Sequence, residues 1–170
     1  MDRHTPAQVL GQMLKERELS VSFAESCTGG NLAHRITLNA GSSAYFLGSV
    51  VSYSNDVKAN VLGVDRRAIA QHGAVSRQVV EQMAEGVARI MRTDCSVATS
   101  GIAGPDGGTK NKPVGTVWLA AKYRDKVVTE CQHFDGDRNS VIEQATNHGL
   151  VMLIHLLRSC YTESEDYNDE

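Results

Sequence analysis

Apolar residues recur at helical spacing near the start of the chain. Val9, Leu10, Met13 and Leu14 share one face, and Thr5-Pro6 supplies a capping residue and a first-turn proline, so a helix over about 6–17 is predicted. The pattern then changes. "LSVSFAE" from Leu19 and "FLGSVVSY" from Phe46 are rich in β-branched and aromatic residues and read as strands, while "GGNLAHRITL" between them reads as a helix, which makes a βαβ unit. Two short helices follow, one after Asn55 and closed by Gly63, the other after Asp65 and closed by Gly73. Ser76 caps a longer helix on which Val79, Val80, Met83, Val87, Ile90 and Met91 keep helical spacing, and "CSVATS" from Cys95 is a short buried strand. "VGTVWLAAKY" and "VVTECQHF" flank Arg124-Asp125 and are predicted to pair as an antiparallel hairpin. A last helix starts near Asn139 and runs on Val141, Ile142, Ala145, Met152 and Leu156.

This order of elements is that of an α/β sandwich with helices on both faces of one sheet. Consecutive βα units force the first three strands parallel, with right-handed crossovers. Ligands of such sheets bind beyond the carboxyl ends of the strands. Residues 1–160 are therefore read as one domain. The acidic segment 161–170, "YTESEDYNDE", is read as a solvated, disordered tail.

Composition removes several function classes. Net charge is −3 with the tail and +2 without it, and one Trp and three Phe offer little to stack on bases, so nucleic acid is not an expected partner. The longest apolar run, "GLVMLIHLL" from Gly149, is interrupted by His155 and is about half the length of a membrane span. Four cysteines without CxxC spacing read as reduced thiols of a cytoplasmic protein. Phosphate-loop and dinucleotide fingerprints are missing, and the histidines show no metal-ligand pairing.

The rim at the carboxyl ends of the strands collects the reactive side chains. The first strand delivers Glu25, Ser26, Cys27 and Thr28, with Gly29 and Gly30 to turn the chain into a helix whose free N–H groups favour negative charge. The second delivers Tyr53 and Asn55, with Lys58 one turn further on; the third delivers Thr99 and Ser100 and opens, at Gly101, the Gly- and Pro-rich loop "GIAGPDGGTKNKP". Asp135, Asp137 and Arg138 follow the hairpin. Ser26 and Thr28 fit either a nucleophile beside an oxyanion hole or plain helix caps. Lys58 fits either a solvated surface lysine or a base, for which burial must push its pKa far down. Cys27 reads as a small buried neighbour rather than a nucleophile.

"AESCTGG", "GSSAYF", "VVSYSNDVK", "QHGAVS", "TSGIAGPDGGT", "KPVGTVW" and "GDRNSV" occur in this order across residues 24–141. This series closely resembles the CinA C-terminal domain family, the PncC type of nicotinamide mononucleotide amidase, in its stand-alone form. The resemblance implies a three-layer α/β/α sandwich with a five-stranded mixed, mostly parallel sheet. It implies hydrolysis of nicotinamide mononucleotide to nicotinate mononucleotide and ammonia, in pyridine-nucleotide recycling, without cofactor or metal. It also implies a Ser/Lys pair, with Lys58 of "YSNDVK" as the lysine; chain position sets Tyr53 near it as a further catalytic candidate.

Two serines compete for the other half. Ser26 shares the rim with Lys58. Ser43, in the "GSS" block, precedes the second strand; ten extended residues span about 33 Å, so it reaches Lys58 only through a folded-back loop or from a neighbouring subunit of a homo-oligomer. On this reading backbone N–H groups near Gly29 and Gly30 hold the oxyanion, Glu25 or Asp106 balances the pyridinium, and Arg138 with the loop amides meets the phosphate. Thr28, Asn55, Thr99, Ser100 and Gly101 complete the expected substrate contacts. Asn31 stands where relatives are expected to carry an aromatic or apolar residue. The alternative is a nucleotide-binding domain without catalysis, in a competence or damage-response setting.

Overall fold

The structure is a computed structural model that describes residues 3–165, with side chains as far as Tyr161. In chain order it contains α1 (Pro6–Glu16), β1 (Val21–Glu25), α2 (Asn31–Thr37), a 3-10 turn (Ser42–Ala44), β2 (Phe46–Val51), α3 (Asn55–Asn60), α4 (Arg66–His72), α5 (Arg77–Met91), β3 (Cys95–Gly101), β4 (Thr116–Tyr123), β5 (Lys126–His133) and α6 (Arg138–Glu165). The sheet order is β2-β1-β3-β4-β5. β1 runs parallel to both β2 and β3, and β4 is antiparallel to both β3 and β5, so four strands share one direction.

Two apolar layers sandwich this sheet. On one face Leu10, Leu14, Leu32, Ile36, Leu150, Leu153 and Leu157 from α1, α2 and α6 close over Phe23, Val97 and Leu119. On the other Val80, Met83, Ala84 and Val87 of α5, with Leu62 and Val64, close over Ala24, Ala98 and Ala120. Phe23 and Ala24 thus face opposite layers, as the two-residue period of a strand demands. The expected three-layer architecture, the mixed sheet and the hairpin turning at Arg124-Asp125 are all present. Gly86 shows how closely the second layer approaches: a Cβ there would stand 2.0 Å from the Leu62 carbonyl oxygen.

The first helix begins at the predicted cap Thr5, which the structure extends to a capping box: Thr5 Oγ1 accepts from Gln8 N–H and Gln8 Oε1 accepts from Thr5 N–H. α6 starts at Arg138 and runs through Glu165, entering the segment read as a tail, while residues 166–170 lie outside the described residues. Among the described residues no helix is long and apolar enough to cross a membrane.

Candidate active site

The sheet itself places Ser26. Its N–H donates to Thr99 O at 3.0 Å, and Ser52 N–H donates to Glu25 O at 2.7 Å, so the end of β1 is held between the ends of β2 and β3. Beyond Ser26 the chain turns through Gly29 (φ 58°) and Gly30 (φ 104°), left-handed conformations that a side chain would strain. α3 brings in the lysine. Ser54 caps this short helix, its Oγ accepting from Val57 N–H at 3.2 Å, and Lys58 points inward with 1 % of its surface exposed. Lys58 Nζ lies 3.0 Å from Ser26 Oγ and 2.6 Å from the Ser52 carbonyl oxygen. No carboxylate pairs with it among the described residues. Burial is the main cause that pushes the Lys58 pKa below its ordinary value, because the interior solvates an ammonium poorly.

Glu25 sits directly before Ser26 and does something else. It is completely buried. Its Oε1 accepts from Thr28 Oγ1 (2.8 Å), Gly30 N–H (3.2 Å) and Leu32 N–H (2.8 Å), and its Oε2 from Ala33 N–H (3.2 Å) and Ser49 Oγ (2.7 Å). The carboxylate therefore caps α2 from inside the protein, and the expectation that it faces the pyridinium is corrected. The oxyanion reading of Gly29 and Gly30 changes as well. The Gly30, Leu32 and Ala33 amides are taken by Glu25, and the Gly29 amide donates to Ser26 O at 3.0 Å. Thr28 is buried too, its hydroxyl also 2.9 Å from that of Thr99, so both threonines stand behind the site rather than in it.

Seven of the predicted residues line one cleft of about 250 Å³: Ser26, Tyr53, Asn55, Lys58, Ser100, Gly101 and Arg138. Cys27, Ala74, Val75 and Ala103 complete its wall, and none of its lining residues is acidic. Arg138 Nη1 donates to Gly104 O at 2.7 Å and Nη2 to Tyr53 Oη at 3.0 Å, tying the Gly-rich loop to the segment between β2 and α3. Tyr53 is 61 % exposed and engages Arg138 rather than Lys58, whose partners are Ser26 and Ser52. The Cys27 thiol is pushed up to about 12 by burial, so it is protonated near neutrality. Ser100 Oγ donates to Ala74 O at 2.8 Å and fixes the turn that carries Ala74 and Val75.

The remaining expectations lie elsewhere. Thr28, Gly29 and Gly30 border a separate open hollow with Asn31, His34 and Glu143. Asn31 Nδ2 is bound there by Thr146 Oγ1 (2.8 Å) and Glu143 Oε1 (3.3 Å), so it joins α2 to α6 and does not touch the cleft. Asp106 is exposed on the loop and also outside the cleft. Ser43 is exposed in the 3-10 turn before β2, next to Tyr45, whose carbonyl takes the N–H of Val21 at the start of β1. That is the opposite end of the sheet, and within one chain Ser43 and Lys58 do not meet. A larger hollow of about 570 Å³, lined among others by Gln8, Gln12, Lys15, Asn39 and Tyr45, holds neither half of the expected pair.

Sequence reasoning missed Ser52 and the Ala74–Val75 turn. Ser52 contributes a main-chain oxygen, which leaves no side-chain signal, and the apolar turn resembles any other loop.

Fold and cleft together define a three-layer α/β/α protein with a serine hydroxyl against a buried amine at the mouth of its parallel strands. The model of the CinA C-terminal domain matches residues 3–157, and the chain belongs to that family. The chain is 51 % identical over 148 residues to the nicotinamide-nucleotide amidohydrolase PncC of Escherichia coli K12, covering 86 % of this chain and 90 % of that protein. It is 45 % identical over 152 residues to a CinA-like protein of Endomicrobium trichonymphae, of which it spans 36 %. The crystal structure of the competence/damage inducible protein CihA from Agrobacterium tumefaciens superposes with a TM-score of 0.86 at 38 % identity, over 92 % of this chain and 98 % of that one.

Proposed function

We propose that this protein is an amidohydrolase that converts nicotinamide mononucleotide to nicotinate mononucleotide and ammonia through Ser26 and Lys58. The observation that carries the reading is the 3.0 Å approach of a buried, anion-free Lys58 Nζ to Ser26 Oγ. The similarity to the E. coli amidohydrolase supports the substrate.

A neutral amine has two N–H groups and a lone pair. The Ser52 carbonyl takes one N–H and aims the nitrogen, leaving the lone pair to receive the Ser26 hydroxyl proton as Oγ attacks the carboxamide carbon. The amide of Cys27, immediately after the nucleophile and in the cleft wall, replaces those of α2 as oxyanion donor in this scheme. Lys58 then gives its proton to the departing ammonia, and water repeats the sequence on the acyl-enzyme. A cationic pyridinium close to Lys58 favours the neutral amine, and the cleft has no carboxylate to offset that effect. Arg138 and the loop amides meet the phosphate. Ser43 serves only if a second copy of the chain presents it to the cleft, which would make the homo-oligomer the working unit. The reading carries with it a cytoplasmic location and a role in pyridine-nucleotide recycling.

Purified protein mixed with nicotinamide mononucleotide should release ammonia and nicotinate mononucleotide in equal amounts. Calorimetric binding with no ammonia formed would replace this reading by a nucleotide-binding module.

A further inference from the structure

The protein groups around Lys58 offer its nitrogen two acceptors, the complement of an amine, and an anion would complete the set for an ammonium. Two acceptors reach Nζ, Ser26 Oγ at 3.0 Å and Ser52 O at 2.6 Å, whereas an ammonium carries three donors. The titratable groups around it leave the third donor unmatched. From the end of β1 come Glu25, whose carboxylate is already filled by five donors, and the Cys27 thiol. From the segment after β2 comes the phenol of Tyr53, and from α6 the guanidinium of Arg138; β3 and the Ala74–Val75 turn bring none.

Hydrolysis delivers the missing anion at that spot. In the last step water adds to the carbonyl carbon bonded to Ser26 Oγ and its proton passes to Nζ. The C–Oγ bond then breaks and Oγ recovers that proton, leaving a carboxylic acid, a serine hydroxyl and a neutral amine. The acid is far stronger than an ammonium and passes its own proton to Nζ.

We propose that the Lys58 corner of the cleft is a carboxylate-binding site for the acid product, which stays paired with protonated Lys58 and leaves together with that proton, so product is held more tightly as pH falls. The inference rests on the amidohydrolase reading above and adds a selectivity to it. The amide substrate has no charge at this group and recruits no proton. Burial keeps the Lys58 pKa low and a touching carboxylate raises it. Between the two values each bound product takes up one proton, and its Kd weakens tenfold for each unit of rising pH. The phosphate is common to substrate and product, so its titration cancels in their ratio.

The test is calorimetry of nicotinate mononucleotide binding between pH 6 and 9, in pairs of buffers with different ionisation heats, which counts protons directly. The reference ligand is nicotinamide mononucleotide on Ser26→Ala, which does not turn over. Product should take up close to one proton more than the amide, with a Kd ratio changing up to tenfold per pH unit, and Lys58→Met should erase the difference. Equal proton counts for the two ligands on protein that does release ammonia would overturn this proposal and leave the functional reading standing. An undiminished difference in Lys58→Met would also overturn it. Lack of ammonia release by wild type would instead remove the functional reading. The wild-type proton count decides the matter even if Lys58→Met does not fold.

Discussion

Glu25→Gln keeps the side chain's volume and removes one acceptor from a fully buried cluster. Glu25 receives five hydrogen bonds, three at Oε1 and two at Oε2. With the carboxamide oxygen in the three-donor position, the new NH2 faces Ala33 N–H and the Ser49 hydroxyl. Ser49 can rotate and accept, but the Ala33 amide is left buried without an acceptor, at a cost of about 1–3 kcal/mol. Loss of the negative charge at the start of α2 adds about 0.3–1 kcal/mol. The total, about 1.3–4 kcal/mol, corresponds to a fall in Tm of roughly 3–16 °C for a chain of this size. Urea unfolding at pH 7 with an unchanged m-value measures it. Because Glu25 adjoins Ser26 but lines no part of the cleft, kcat should drop while KM for the nucleotide stays near wild type. Stability within about 0.5 kcal/mol of wild type, joined to a many-fold rise in KM, would refute the reasoning and return Glu25 to the role of pyridinium counter-ion.

Further outcomes are expected for Lys58, for the two serines and for Cys27. Since the Lys58 pKa is lowered by burial and the base must be neutral, kcat/KM should rise with pH through that lowered value and level off below the ordinary lysine range. Lys58→Arg, permanently charged, should be inactive from pH 6 to 10, and turnover by it would exclude the amine base. The same shift bears on stability: the unfolded chain binds more protons than the native one between the lowered pKa and the ordinary value, so native stability should climb with pH across that window, and less so in Lys58→Met. Ser26→Ala should lose ammonia release by at least about a thousandfold while Ser43→Ala keeps it; the reverse result would establish a site completed by a second copy. Cys27→Ala should retain turnover within a few-fold, and the Cys27 thiol should resist alkylation at neutral pH, because burial holds it protonated; a dead Cys27→Ala with a normal fold would mark the thiol as a reactant.

Much of the fold was legible because each element carried its own signal. Thr5-Pro6 starts α1, β-branched runs fill the strands, and Arg124-Asp125 turns the hairpin. The rim was legible for a topological reason: parallel strands deliver their carboxyl ends together, which put Ser26, Asn55, Lys58 and Ser100 on one cleft from sequence order alone. The direction in which neighbouring side chains point was not read correctly, although the chain contained the information. All five residues of β1 are buried, Ser22 and Glu25 included, so polarity does not alternate along the strand and does not announce its faces. Counting by twos from Phe23 puts Glu25 on the α2 side, while Ser26 turns the other way, toward Lys58. Glu25 and Ser26 therefore serve opposite sides of β1, and only Ser26 lines the cleft. Thr28, Gly29 and Gly30 lie past the end of β1, in the turn that leads into α2, and border the hollow on that side.

The two buried ionisable groups that bracket Ser26 are treated in opposite ways, and the contrast separates scaffold from chemistry. Glu25 is surrounded by donors in excess of what one oxygen needs, and such a group is a fastener: its charge is fully answered inside the protein. Lys58 has a hydroxyl and a carbonyl but no anion, an environment that a purely structural position would fill better with an apolar side chain. Arg138, the other basic residue of the cleft, sits exposed at the mouth, where its planar fork of donors suits a phosphate. Hence the deep cation can exchange a proton with a reacting group, and the outer one can hold a fixed negative charge. A ligand with a phosphate at one end and a proton-exchanging group at the other fits that division, and a ligand lacking either end leaves one of the two cations without work.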